Sequence, residues 1–292
     1  MKQFIVLLSI IAVSAAAWDS GLRVKFNIGL RPGKDFFFEV PKSRAAAIDD
    51  RWSLTQRVNT ASYPSLTLYC PADRVLCAYF DDLGNIAGLQ IALAQDEFTD
   101  AAFDWETQGF TEWAPATPSG EIKKYWTTNQ YFVSEAYLQQ NASDREAARK
   151  DGVLLQEDAV WVTGFHRAIE RISTKRTDIE NSIFTKQGCI PWMGRHFYYN
   201  MSAETTCADG TIYPWFPLVH SGQLVGTGFL VFGKLPIVKG QRDWFERPSK
   251  VAVQVIVPRG PKCLYDLADS VGLVTMHIYY VEKPWFIGCL LQ

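Results

Sequence analysis

Short apolar segments, broken by turn residues roughly every ten positions, restrict this chain to a strand-built fold. Leu22 to Gly29 alternates apolar and polar side chains, the period of a half-buried strand. Phe36 to Val40 is a second strand, stopped by Pro41. Ser65 to Cys70, Val75 to Phe80 and Ile86 to Leu93 follow as consecutive strands. The turn Asp81-Asp82-Leu83-Gly84-Asn85 joins the last two as a hairpin, because Gly and Asn adopt positive φ at little cost. Leu218 to His220 and Leu224 to Phe232 flank Ser221-Gly222-Gln223 in the same way. Val251 to Val257, rich in β-branched residues, reads as a central strand ended at Pro258 to Pro261. Leu273 to Val281 closes the series. The pattern predicts a β-rich, mainly antiparallel sandwich or barrel-like fold.

Helix is expected only in a short insert around 143–173. Ser143-Asp144-Arg145-Glu146 matches a capping box ahead of an Ala-rich run. Phe165, Ile169 and Ile172 recur at helical spacing and predict a second helix from Gly164 to Ser173. The polar stretch after it carries the dibasic pair Lys175-Arg176, a solvated loop or a processing point. A repeat is also visible. Tyr79 to Ile91 and Pro217 to Leu230 share the order strand, Gly-centred turn, apolar-apolar-Gly. Two related halves, 18–140 and 185–292, around the helical segment would account for it.

The N-terminus places the chain outside the cell. Lys2, the apolar run Phe4 to Val13 and the small residues Ser14 to Ala17 form a secretory leader, with cleavage expected after Ala17. The apolar run falls short of the roughly 20 residues that span a bilayer, so no transmembrane segment is expected. The six cysteines, Cys70, Cys77, Cys189, Cys207, Cys263 and Cys289, then read as three disulfides. Short loops cost least to close, so proximity favours Cys70–Cys77, Cys189–Cys207 and Cys263–Cys289. Asn141-Ala142-Ser143 and Asn200-Met201-Ser202 are glycan acceptor sequences. With 29 basic against 31 acidic residues and no block of like charge, nothing marks a nucleic-acid partner.

The most distinctive stretch runs from Gly188 through His196 to Phe229. Met193, Gly194, His196 and Phe197 form a Met-Gly-x-His-aromatic segment. Pro217 then leads a strand into a hairpin carrying Gly222, Leu224 and Gly226. These residues resemble a loosely related group of uncharacterised proteins, over about 45 residues. The group has no agreed activity, and its members often carry an acidic residue where this chain has Leu218. The resemblance implies a fold element and one histidine of interest.

Two kinds of chemistry fit the residue types. Aromatics make up 14% of the chain, and Trp192, Tyr213, Trp215 and Phe216 are dense around the Cys189 to Phe229 stretch. They suggest an aromatic-lined pocket for a small apolar or carbohydrate ligand. Alternatively, His166, Glu170, His196 and His220 supply imidazole and carboxylate donors of the kind a metal-dependent oxidoreductase or hydrolase uses, with His196 and His220 central. A third reading is a matrix or cell-surface interaction protein. No nucleophile elbow, metal-ligand spacing or phosphate loop narrows the choice, and no cofactor is indicated.

Overall fold

The computed structural model describes residues 19–25, 33–58, 62–116, 120, 122–208 and 211–290. The leader expected at residues 1–17 lies outside them.

In chain order the first part contains β1 (Ser20–Lys25), β2 (Phe37–Glu39), helix α1 (Arg44–Asp49), β3 (Ser53–Thr55), β4 (Thr67–Cys70), β5 (Leu76–Phe80), β6 (Ile86–Ala94), β7 (Thr111–Trp113) and β8 (Tyr125–Tyr131). Two short helices follow, α2 (Glu135–Leu138) and α3 (Ala142–Ala148). The second part contains β9 (Ala159–Thr163), β10 (Ile169–Ser173), α4 (Arg176–Glu180), β11 (Phe184–Ile190), β12 (Gly194–Tyr199), β13 (Trp215–His220), β14 (Gln223–Phe232), α5 (Lys250–Ile256), α6 (Lys262–Ser270) and β15 (Leu273–Val281).

The strands form two antiparallel sheets in a sandwich-like arrangement. The first is eight-stranded, in the order β10-β9-β8-β6-β5-β4-β3 with β7 also pairing β8. The second is seven-stranded, in the order β11-β12-β13-β14-β15-β1-β2. The second sheet therefore takes in β1 and β2 from the first part of the chain, and the first sheet takes in β9 and β10 from the second part.

Alternation sets which residues meet. On β6, Leu89, Ile91 and Leu93 join the main core, which also holds Phe229 and Val231 of β14. The intervening Ala92 and Ala94 turn to the opposite face, into a separate cluster around Tyr79 and Tyr131. Polar groups bridge the sheets where the core requires it. Trp215 Nε1 donates to the carbonyl of Thr163, 3.0 Å away. Gln130 Oε1 of β8 lies 2.9 Å from Thr227 Oγ1 and 2.8 Å from the Tyr280 hydroxyl. A buried hydrogen bond of this kind offsets the desolvation that each group would otherwise suffer.

The hairpins expected at Val75–Leu93 and Leu218–Phe232 are present as β5–β6 and β13–β14. Four local expectations are corrected. Gly164 to Ser173 is a single 3-10 turn followed by β10, because Ile172 is needed as a buried strand residue opposite Val160. Helix α3 begins earlier than the capping box suggested, with Asn141 as its cap accepting from the Asp144 N–H at 2.9 Å. Val251 to Val257 is helix α5 rather than a strand. Ser249 caps it, its hydroxyl accepting from the Ala252 N–H, and Val253 is its buried anchor. Lys175 caps and Arg176 opens the short helix α4, where a solvated loop or a processing point was expected.

The cysteines form three disulfides. Cys70–Cys77 joins as proximity suggests, but the others are Cys189–Cys289 and Cys207–Cys263. Loop length does not decide these pairings, because the chain's C-terminal segment returns beside β11: the Trp192 N–H donates to the Ile287 carbonyl at 2.7 Å. Among the described residues no helix is long and apolar enough to cross a membrane. Cys189–Cys289 spans 100 residues. Replacing both cysteines by serine should destabilise the fold by about 4 kcal/mol, as expected for so long a loop, measurable by denaturant unfolding.

Candidate functional site

The second sheet turns one face to the first sheet and the other to α5 and α6. Cross-strand partners share a face, so the pairs His196–Leu218, Phe216–Gly228, Gly228–His277 and His277–Lys25 identify the outward residues. Gly228 has a steric role here. A Cβ on it would stand 1.9 Å from the Phe216 ring, so only glycine lets that ring lie across the sheet toward His277. The ring centroids of Phe216 and His277 are 5.5 Å apart, and those of His196 and His277 5.7 Å.

Among the described residues β1 pairs with β15 as far as Lys25, and Glu246 occupies the same edge of β15 at Thr275. The Glu246 N–H donates to the Thr275 carbonyl at 2.7 Å, and the Thr275 N–H donates back at 2.9 Å. That bridge sets the Glu246 carboxylate between two partners. Lys25 Nζ is 2.5 Å from its Oε1, and His277 Nδ1 is 3.0 Å from its Oε2. All three residues are between 2% and 4% exposed. Burial alone would raise the Glu246 carboxyl, but His277 and Lys25 outweigh it and hold the group below the usual carboxylate range.

Helices α5 and α6 roof this face. Gly188 lets α5 rest directly on β11, since a Cβ there would meet the Val255 carbonyl at 2.5 Å. The Lys250–Asp266 pair, 3.0 Å, links the two helices, and Cys207–Cys263 fastens α6 to the chain after β12. Between roof and sheet lies a cavity of about 420 Å³. Its walls are mainly apolar, with Ile190, Met193, Leu230, Phe232, Val255 and Leu264 among them. The polar groups that reach it include His196, Tyr198, Glu246 and His277.

His196 is the unusual member. It is fully buried, and neither ring nitrogen completes a hydrogen bond. Burial, then the neighbouring His277, pushes its imidazole down to about 3, against only a weak pull from the backbone of Gly188 and Gly194. At neutral pH it is an uncharged ring with one N–H donor and one acceptor. His277 meets Glu246 in distance but not in hydrogen-bond alignment, and its Nε2 has no partner.

The expected site residues are dispersed. His196 and Phe216 line the cavity. Trp215 and Tyr213 are in the core, Trp215 bonded to Thr163 and Tyr213 stacked on Tyr199 at 4.8 Å. Trp192 sits in the β11–β12 turn with φ 68°. His220 is half-buried beside the β13–β14 turn, where burial lowers its imidazole. His166 is exposed on the 3-10 turn, and Glu170 lies on β10 of the other sheet, its carboxyl raised by burial. Among the described residues no three His, Cys, Asp or Glu side chains gather as a metal site. Lys25, Glu246 and the helical roof escaped the sequence reading. The one signal was His277, an imidazole in the middle of a largely apolar strand.

A neutral buried imidazole makes stability depend on pH. An unfolded histidine takes up a proton near 6.5, whereas folded His196 does so only near 3. Between these values the unfolded chain binds the extra proton, so stability falls as pH falls. From pH 7 to pH 5 this one group should remove about 2 kcal/mol. Denaturant unfolding at the two pH values should show that loss in the native chain and a smaller one in His196→Phe. Set beside known proteins, the chain matches no family model, no curated protein and no solved structure.

Proposed function

We propose that this is a secreted, glycosylated protein that holds a small apolar molecule with one polar head in the cavity beneath α5 and α6. The observation that carries this reading is His196, a fully buried imidazole without a hydrogen bond, on the wall of an otherwise apolar cavity. An unpaired polar group in such surroundings costs roughly 1–3 kcal/mol. A ligand that bonds to it while filling the apolar volume recovers that cost. The volume suits a small organic molecule. An apolar ligand fits better than a carbohydrate, because Tyr213 and Trp215 have no ring face free for sugar stacking. The histidine belongs to the Met193–Phe197 segment that resembles the uncharacterised group, so the resemblance points to the same site.

Secretion is supported by the leader sequence and by three disulfides, which suit an oxidising compartment. Asn141 and Asn200 are both exposed, as acceptor sites must be.

The neutral fluorophore N-phenyl-1-naphthylamine tests the reading. Its emission should rise on mixing with the protein and fall when 1-decanol competes. Ala252, which lines the cavity, is the position to fill. Ala252→Phe should weaken binding at least about tenfold. Undiminished binding in a folded Ala252→Phe variant would overturn the assignment.

A further inference from the structure

We propose that this cavity also hydrolyses small apolar esters with water, with His277 as the base and His196 as the donor to the carbonyl oxygen. The proposal rests on the ligand reading above and adds a reaction to it. His277 presents Nδ1 to the Glu246 carboxylate at 3.0 Å. A carboxylate on that side favours the Nδ1–H tautomer, which leaves Nε2 with a free lone pair. Nε2 has no partner in the fold, and His277 lines the cavity. Lys25 on the far side of Glu246 keeps the carboxylate charged. This is the arrangement of an imidazole base oriented by an acid. His196, beside it in the same apolar space, contributes an uncharged N–H donor.

The step balances with water as co-reactant. His277 Nε2 takes a proton from water as the water oxygen bonds to the ester carbon, and the carbonyl electron pair moves onto oxygen. The His196 N–H faces that developing oxyanion. The pair returns, the bond to the alcohol oxygen breaks, and His277 passes its proton to the departing alkoxide. The products are one acid and one alcohol. Glu246 and Lys25 are positioning residues, acting through His277.

p-Nitrophenyl hexanoate is the probe, with N-phenyl-1-naphthylamine binding followed in parallel. The native chain should release nitrophenolate at least about tenfold faster than Ala252→Phe, in which the ionic groups are untouched. His277→Asn should lower kcat about 100-fold with fluorophore binding kept. Glu246→Gln should lower kcat at unchanged KM, a split that general loosening of the fold would not produce. If the native chain binds the fluorophore but hydrolyses no faster than Ala252→Phe, the activity is overturned and the binding reading stands. If it neither binds nor hydrolyses, both fall.

A second inference rests on strand registers alone. We infer that the chain is two equivalent units, 20–131 and 159–281, interlocked by exchange of their first two strands. The order β3-β4-β5-β6-β8-β9-β10 in one sheet matches β11-β12-β13-β14-β15-β1-β2 in the other. Gly88 pairs Tyr131 as Gly226 pairs Tyr279. Both hairpins are irregular at the same place, between Tyr79 and Phe80 and between Leu218 and Val219. The Arg44 N–H donates to the Gly84 carbonyl at 2.9 Å, and that of Arg176 to the Gly222 carbonyl at 3.0 Å. Ile86 to Lys42 and Leu224 to Thr174 repeat the correspondence at 3.1 and 2.7 Å.

The repeat seen in the sequence thus extends over both sheets, and β9 and β10 belong to it rather than to an insert. In the first unit, Leu68 and Asn129 stand where the second has His196 and His277. Only the second unit carries the paired imidazoles. Each disulfide joins two cysteines on the same side of the exposed Asp151-Gly152 turn, so no disulfide crosses a break there. A thrombin site inserted there and cut in the folded protein should leave both fragments eluting as one particle until denaturant is added. Separation of the fragments in native buffer would overturn the interlock.

Discussion

Strand β15 has to be paired along both edges, and most of the molecule follows from how that is done. A buried strand cannot leave its N–H and C=O groups unbonded. On one side β14 pairs it from Leu273 to Tyr279. On the other, among the described residues, β1 covers it as far as His277, and Glu246 completes the edge at Thr275. The first strand of the chain is therefore held by the last, and the segment before α5 is pinned in place. This repair of the edge also brings a carboxylate, a lysine and an imidazole into contact where no single segment contains them.

The buried charges explain why the site is polar at one end only. Glu246 is acceptable inside because Lys25 and His277 flank it, so its desolvation is offset on both sides. His196 has no such compensation. It weakens the fold, most of all in mild acid, and an apolar residue would suit its position better by packing alone. Local rules broken without an evident structural gain tend to mark function. The contrast with the first unit is instructive, since Leu68 stands at the matching register. There Tyr79 closes the polar positions, its hydroxyl 2.9 Å from Gln90 and 3.0 Å from Asn129.

Much of the β architecture was legible because strand and hairpin signals are local. The β5–β6 and β13–β14 hairpins announce themselves through Gly84 and Gly222, both with φ of 83°. Helix α5 was misread because valine alternation mimics a strand, and the deciding facts, the Ser249 cap and the packing of Val253 and Ile256, involve partners outside the segment. The opposite error at Gly164 to Ser173 has the same origin. Ile169 and Ile172 have helical spacing, but β9 recruits the segment as an edge strand. The candidate site was half legible: His196 and Phe216 lie in a distinctive stretch, whereas Lys25 and Glu246 sit in unremarkable surroundings at opposite ends of the chain.

By itself the sequence determined the strand-built class, the hairpins and the even set of cysteines, all of which depend on residue type and short-range spacing. The tertiary structure alone decided that Cys189 joins Cys289 and Cys207 joins Cys263, that β1 and β2 close the far sheet, and that a roofed cavity lies over His196 and His277. Those outcomes depend on which distant segments compete successfully for the same strand edge. That competition is settled by backbone pairing and burial across the whole chain, and no local pattern records it.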